Sequence, residues 1–153
     1  MPRERQALAL LLLTSAALLG GALAFQFIGR LAPCEMCYWQ RYAHLAVLAL
    51  GLLAWVAGSR ALILLAALAM LVAAGLGGFH AGVEQHWWQG PTACSSGIDF
   101  TQSSGALIGS MIATPVVRCD AIPWSLLGLS MAAWNAVISG TVALAALWLW
   151  RRA

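Results

Sequence analysis

Apolar residues gather in four long runs separated by polar stretches. Ala7 to Ile28 carries no charge, Cys37 to Gly58 carries only Arg41, Ala61 to Val83 carries only the titratable His80, and Ala121 to Trp150 carries none. A helix that crosses a bilayer needs roughly 20 apolar residues, so each run is long enough. The runs lack the period-two alternation of strands and are far too long for them. The pattern predicts an all-α membrane protein, a four-transmembrane-helix bundle with helices at about 7–28, 37–58, 61–83 and 122–150. Loops at about 29–36 and 84–121 join them on one face, the second being the long loop between helices 3 and 4. Gly and Ala within the runs suit close helix packing. No linker or composition break divides the chain, so a single membrane domain is expected.

Composition agrees. The chain is 62% hydrophobic and 8% charged, where a soluble domain carries about a quarter charged residues. The basic residues are all arginines, scattered at the ends of the apolar runs, which excludes a nucleic-acid patch and fits membrane topology. Arg3, Arg5, Arg60, Arg151 and Arg152 fall on one face, and Arg30 and Arg118 on the other, with Arg41 just inside the bilayer there. The positive-inside bias makes the first face cytoplasmic, with both termini, and the second periplasmic. Glu35, Glu84, Asp99 and Asp120 then lie outside. Trp39, Trp87 and Trp88 mark the outer interface, and Trp55, Trp148 and Trp150 the inner one. Arg3 and Arg5 followed by an apolar run ending Ala22-Leu23-Ala24 is also the pattern of a secretory signal. The run is long for one, so the first helix is expected to be retained. In the long loop, Gly90-Pro91 marks a turn. Leu107, Ile108, Met111 and Ile112 have the spacing of a short surface helix, or of a loop packed on the bundle.

The chemistry lies in the cysteines. Cys34, Cys37, Cys94 and Cys119 all map to the outer face, where an oxidising compartment lets disulfides persist. Cys34-Glu35-Met36-Cys37 can close locally, which favours Cys34–Cys37 with Cys94–Cys119 among the three pairings of four cysteines. Pro33 suits a helix start, and the helix dipole in the first turn favours thiolate. Arg41 stands one turn beyond Cys37 on the same face and favours an anion there, whereas Glu35 opposes thiolate at the more exposed Cys34. An arginine at this depth also has a plain reading, snorkelling to the headgroups. His44 lies on roughly the same face as Cys37 and Arg41; it is a candidate to bond a ligand or pass protons, or simply a histidine satisfied by a neighbouring helix. His80 and His86 are weaker candidates. No metal site is expected: the spacing to Cys94 and Cys119 matches no zinc ribbon, and Tyr38 after Cys37 breaks the haem-attachment motif.

Pro33-Cys34-x-x-Cys37-x-x-x-Arg41 resembles the DsbB family of disulfide bond formation proteins. So do Gly82-Val83-Glu84 through Gly90-Pro91 and Cys94, and Cys119-Asp120 with Trp124 and Leu127-Gly128-Leu129-Ser130-Met131. The resemblance implies a four-helix inner-membrane quinone reductase that reoxidises the periplasmic thiol oxidase DsbA, a thioredoxin-fold protein. It implies that Cys94 is attacked by the reduced thiol of that partner. Cys119 is then released and pairs transiently with Cys34, and Cys37, freed as a thiolate, meets ubiquinone or menaquinone beside Arg41. It also implies a polar residue near the end of the third helix, a place open to Glu84, Gln85 or His86.

Three other readings compete. A protein resembling vitamin-K-epoxide reductase would use similar chemistry, but its CxxC sits late in the bundle, whereas here it opens the second helix. A non-catalytic protein with two bracing disulfides would make no use of Arg41. A transporter is disfavoured because Arg41 is the lone charge expected within the spans.

Overall fold

The computed structural model describes residues 3–91 and 117–153. Cys94, Asp99 and the apolar set Leu107, Ile108, Met111 and Ile112 lie outside the described residues. Among those described are four helices long and apolar enough to cross a membrane: α1 (Arg3–Phe27), α2 (Glu35–Ala57), α3 (Arg60–Glu84) and α4 (Met131–Arg151). The chain is therefore a multi-pass membrane protein built as a four-helix bundle. A helix of 25 residues, the length of α1 and of α3, is roughly 37 Å long, enough to cross the hydrocarbon layer with a turn to spare.

Local chemistry fixes the helix ends. Cys34 is the N-cap of α2, its sulfur accepting the Cys37 N–H, so the helix begins at Glu35, ahead of the expected start near 37. Gly58, at φ 62°, takes the left-handed position that ends α2, and its N–H bonds the Ala54 carbonyl; the missing Cβ makes that conformation cheap. Ser59 then leads into α3. That helix runs through Glu84, which the sequence reading had put in the outer loop.

The fourth helix is the main correction: it starts at Met131, not near 122. Residues Ser125–Leu126 and Leu129–Ser130 instead pair as a two-stranded antiparallel hairpin, β1 and β2. Leu127 (φ 53°) and Gly128 (φ 79°) form its two-residue turn, the doubly positive geometry that matches strand twist. Ser130 closes the hairpin and caps α4, its Oγ accepting the Ala133 N–H at 3.1 Å. An unbroken apolar run hides such a hairpin because hydropathy reads the same in strand and helix.

α3 packs most extensively on α4 and α2, and α1 lies across α2 and α4. The core joins Leu8 and Leu11 of α1, Val47 and Ala54 of α2, Ala66 and Met70 of α3, and Ala143 and Ala146 of α4. At Gly77 the α3 backbone lies directly against α4. A Cβ there would sit 2.9 Å from both the Ala132 carbonyl and the Ala136 nitrogen. At the end of the bundle away from the cysteines, Arg60 pairs with Glu4 at 3.1 Å. There too Arg3 and Arg60 donate to the carbonyls of Arg152 and Trp150. These are exposed contacts of small net worth.

Candidate active site

The start of α2, the end of α3 and the hairpin leading into α4 meet at one end of the bundle. Cys34 is buried and Cys37 half-buried, the reverse of the exposure expected from the sequence, because Cys34 packs against Met36, Val83 and Cys119; both are free thiols with their sulfurs 3.1 Å apart. A disulfide would hold them at about 2.05 Å, so the two sulfurs stand unbonded but side by side, close enough to form the pair favoured from the sequence. The bond to Cys37, and then burial, hold the Cys34 thiol above its ordinary value. Cys37, one turn into the helix, faces Arg41.

Cys119 is disulfide-bonded and fully buried. It packs in one cluster with Cys34, Met36 and Val83. Arg118 and Asp120 flank it in a bidentate pair at 2.8 and 2.6 Å, and Arg118 holds the Asp120 carboxyl below the usual carboxylate range.

Arg41 is held against α1. Its Nη1 donates to Gln26 Oε1, its Nη2 donates to the Ala22 carbonyl at 3.2 Å, and its guanidinium lies 5.4 Å from the Tyr38 ring centre. Its Nε is buried with no hydrogen-bond partner among the described residues. Arg41 and Cys37 line a cavity of about 530 Å³ whose walls include Leu18 and Ala22 of α1, Met131 and Ile138 of α4, and Trp124. That size and apolar lining suit a small-molecule site. An unpartnered cationic N–H beside a reducing sulfur fits a ligand carrying a carbonyl oxygen, so the residues present fit a quinone.

Behind the cavity runs a chain of buried polar side chains in which His44, His80 and Glu84, named from the sequence, are joined by Ser15, Gln40 and Asn135, which the sequence reading missed. Ser15 meets His44 Nδ1 at 3.2 Å, and His44 Nε2 meets Asn135 Oδ1 at 2.9 Å. Asn135 Nδ2 donates to Gln40 Oε1 at 2.7 Å. Gln40 Nε2 meets His80 Nδ1 at 2.8 Å, and His80 Nε2 lies 3.6 Å from Cys34 Sγ. Glu84 Oε1 is 3.9 Å from the same nitrogen. His44 is thus satisfied by α1 and α4, the plain reading, although it also lines the cavity. Buried polar residues in membrane helices point inward and mark function more often than not; Gln40, Asn135 and Glu84 carried that signal in the sequence. Gln85 is the C-cap of α3, and His86 follows at φ 57° outside the cluster. Cys34 Sγ, Cys37 Sγ and a His80 nitrogen also lie within 4.8 Å of one another. A metal there would need His80 Nε2 unprotonated, which the Gln40 bond to Nδ1 disfavours.

A membrane helix bundle with a dithiol at one helix mouth, a disulfide packed against it and an arginine-lined cavity alongside defines a membrane thiol–disulfide oxidoreductase. The profile of the family Disulfide bond formation protein DsbB matches residues 4–149, and the chain belongs to that family. Three proteins named Disulfide bond formation protein B are similar to it. The one from Azoarcus sp. (strain BH72) is 34% identical, covering 97% of this chain and 94% of its own. That from Polaromonas sp. (strain JS666 / ATCC BAA-500) is 32% identical, covering 94% and 88%. That from Verminephrobacter eiseniae (strain EF01-2) is 38% identical, covering 86% and 77%. No solved structure matches the chain.

Proposed function

We propose that this protein draws electrons from a periplasmic DsbA-like thioredoxin-fold oxidase and delivers them to a quinone, ubiquinone or menaquinone, so that the soluble oxidase regains its disulfide. The membrane is then the cell inner membrane, with both termini cytoplasmic and the cysteines facing the periplasm, a topology supported by the arginine bias. Cys94 and Cys119 form the outer disulfide. The partner's thiolate attacks Cys94, a mixed disulfide forms, and Cys119 leaves as a thiolate. Cys119 then attacks Cys34, against which it packs; the Cys34–Cys37 bond breaks and Cys37 carries away the electron pair. A quinone bound beside Cys37 supplies a two-electron, two-proton acceptor. Arg41 steadies negative charge at Cys37 and offers a free guanidinium N–H to the acceptor's oxygen. His44, on the cavity wall, helps shape the quinone site. The partner's second thiolate then resolves its mixed disulfide, the freed Cys94 attacks Cys119 and expels Cys34, and the Cys34–Cys37 bond re-forms as two electrons pass to the quinone.

The observation that carries this reading is Cys37 and Arg41 together on one apolar cavity. The test is quinone reduction by the purified protein with a reduced DsbA-like donor. Wild type should turn over, Cys37→Ser and Cys94→Ser should not, and Arg41→Ala should be slow. Wild-type protein that is inactive with both quinones refutes the proposal.

A further inference from the structure

His80 is a buried titratable group beside a reacting sulfur, and the relay above makes no use of it. Which of its nitrogens carries the proton follows from the hydrogen bonds around it. Asn135 Nδ2 faces the Ala73 carbonyl at 3.3 Å as well as Gln40 Oε1. A carbonyl only accepts, so the Asn135 amide has its nitrogen on that side and Gln40 presents its oxygen to it. Gln40 Nε2 correspondingly faces the Met36 carbonyl at 3.4 Å. The same Nε2 must then donate to His80 Nδ1. A neutral imidazole that accepts at Nδ1 carries its proton on Nε2.

Two main-chain carbonyls, on α2 and α3, thus orient the whole chain. Asn135 Oδ1, which accepts from Ser139 Oγ at 3.0 Å, accepts from His44 Nε2 too. Every donor from His44 onward points toward Cys34, and such aligned chains polarise one another. Cys34 Sγ therefore receives two N–H groups, from the Cys37 backbone at 3.4 Å and from His80 Nε2 at 3.6 Å. The Cys119 backbone carbonyl also accepts from His80, so the one Nε2–H is shared between it and the Cys34 sulfur. The titratable groups that face this imidazole are Cys34 of the α2 cap, Cys37 of α2 beyond it, and Glu84 of α3.

We propose that His80 is a catalytic hydrogen-bond donor to Cys34, held as the Nε2–H tautomer by the Asn135–Gln40 amides, and that it steadies negative charge on the Cys34 sulfur as the Cys34–Cys37 disulfide closes. In that step the Cys34 S–H bond breaks and the sulfur pair forms the bond to Cys37. Two electrons leave through Cys37 to the quinone, which takes up two protons in becoming quinol. His80 gains and loses no proton overall; it lowers the cost of the charged sulfur. The inference rests on the quinone-reductase reading.

The tautomer is tested on wild type by ¹⁵N NMR of histidine-labelled, reduced protein in nanodiscs. A protonated Nε2 and bare Nδ1 at His80 are expected, and Gln40→Glu should move the proton to Nδ1. A wild-type spectrum with Nδ1 protonated overturns the proposal. The role is tested by single-turnover oxidation of the reduced pair by decylubiquinone across pH. His80→Leu should slow closure about 10- to 100-fold near neutral pH, the loss expected for a bond to a charged group. The deficit should shrink as pH rises, and His80→Gln, which keeps an N–H donor, should recover part of the rate. A His80→Leu variant that folds and matches wild type at every pH sinks the inference but leaves the quinone reading intact. A wild type that reduces no quinone sinks both.

Discussion

Arg41 shows how one side chain can be committed and available at once. Two of its five N–H donors are spent on Gln26 and the Ala22 carbonyl, which anchor it to α1, and the others remain for a ligand. Lysine cannot reproduce that fork. Arg41→Lys should therefore raise the KM for quinone about tenfold or more, while thiol exchange with the soluble partner is unchanged; steady-state kinetics with each substrate varied in turn separates the two. Arg118 and Asp120 offer a second residue-scale test. The Asp120 carboxyl is held low by its bond to Arg118, so whatever the pair contributes is present at neutral pH and lost as pH falls through that depressed value. In Arg118→Ala the carboxyl should titrate in the ordinary range by NMR. The juxtaposition of Cys34, Cys37 and Arg41 was legible in the sequence because they share the start of one helix, where spacing dictates geometry. His80 was not, because its meaning comes from Gln40 on α2 and Asn135 on α4, and no spacing in the chain relates three helices.

Helix packing depends on small residues where backbones touch. Gly77 of α3 abuts the α4 backbone, so Gly77→Val should destabilise the protein by about 1–3 kcal/mol through overpacking. Gly20 of α1 has open space around its missing Cβ, and Gly20→Ala should be neutral or slightly stabilising; thermal unfolding in detergent compares the two. The four spans were readable from hydropathy alone. Their ends were not, since a sulfur cap at Cys34 and a hairpin at 125–130 are decided by local hydrogen bonds and positive φ angles. The hairpin has a consequence for the site: it replaces the first turns of the expected fourth helix and brings Trp124 and Leu126 into the cavity wall.

Across the whole molecule, lipid supplies no hydrophobic drive between helices, and the buried polar chain from Ser15 to Cys34 ties all four together. Asn135 is its centre, bonded to groups on α2, α3 and α4. Asn135→Leu should leave Gln40 and His44 unsatisfied and cost about 1–3 kcal/mol per orphaned group, measured by reversible unfolding in mixed micelles. The same arrangement separates wet and dry chemistry. Cys119 and its neighbours Arg118 and Asp120 stand at the outer end, while Cys37 and Arg41 line a cavity among α1, α2 and α4. On the proposed function, exchange with a soluble protein and transfer to a lipid-borne acceptor occur within one cluster of sulfurs. The central claim is that the Cys34–Cys37 dithiol gives its electrons to a quinone. Anaerobic mixing of the reduced protein with ubiquinone, following quinone absorbance and free thiols together, tests it most directly. One quinol formed for each Cys34–Cys37 pair closed is the predicted result; free thiols that persist beside unreduced quinone would contradict the account.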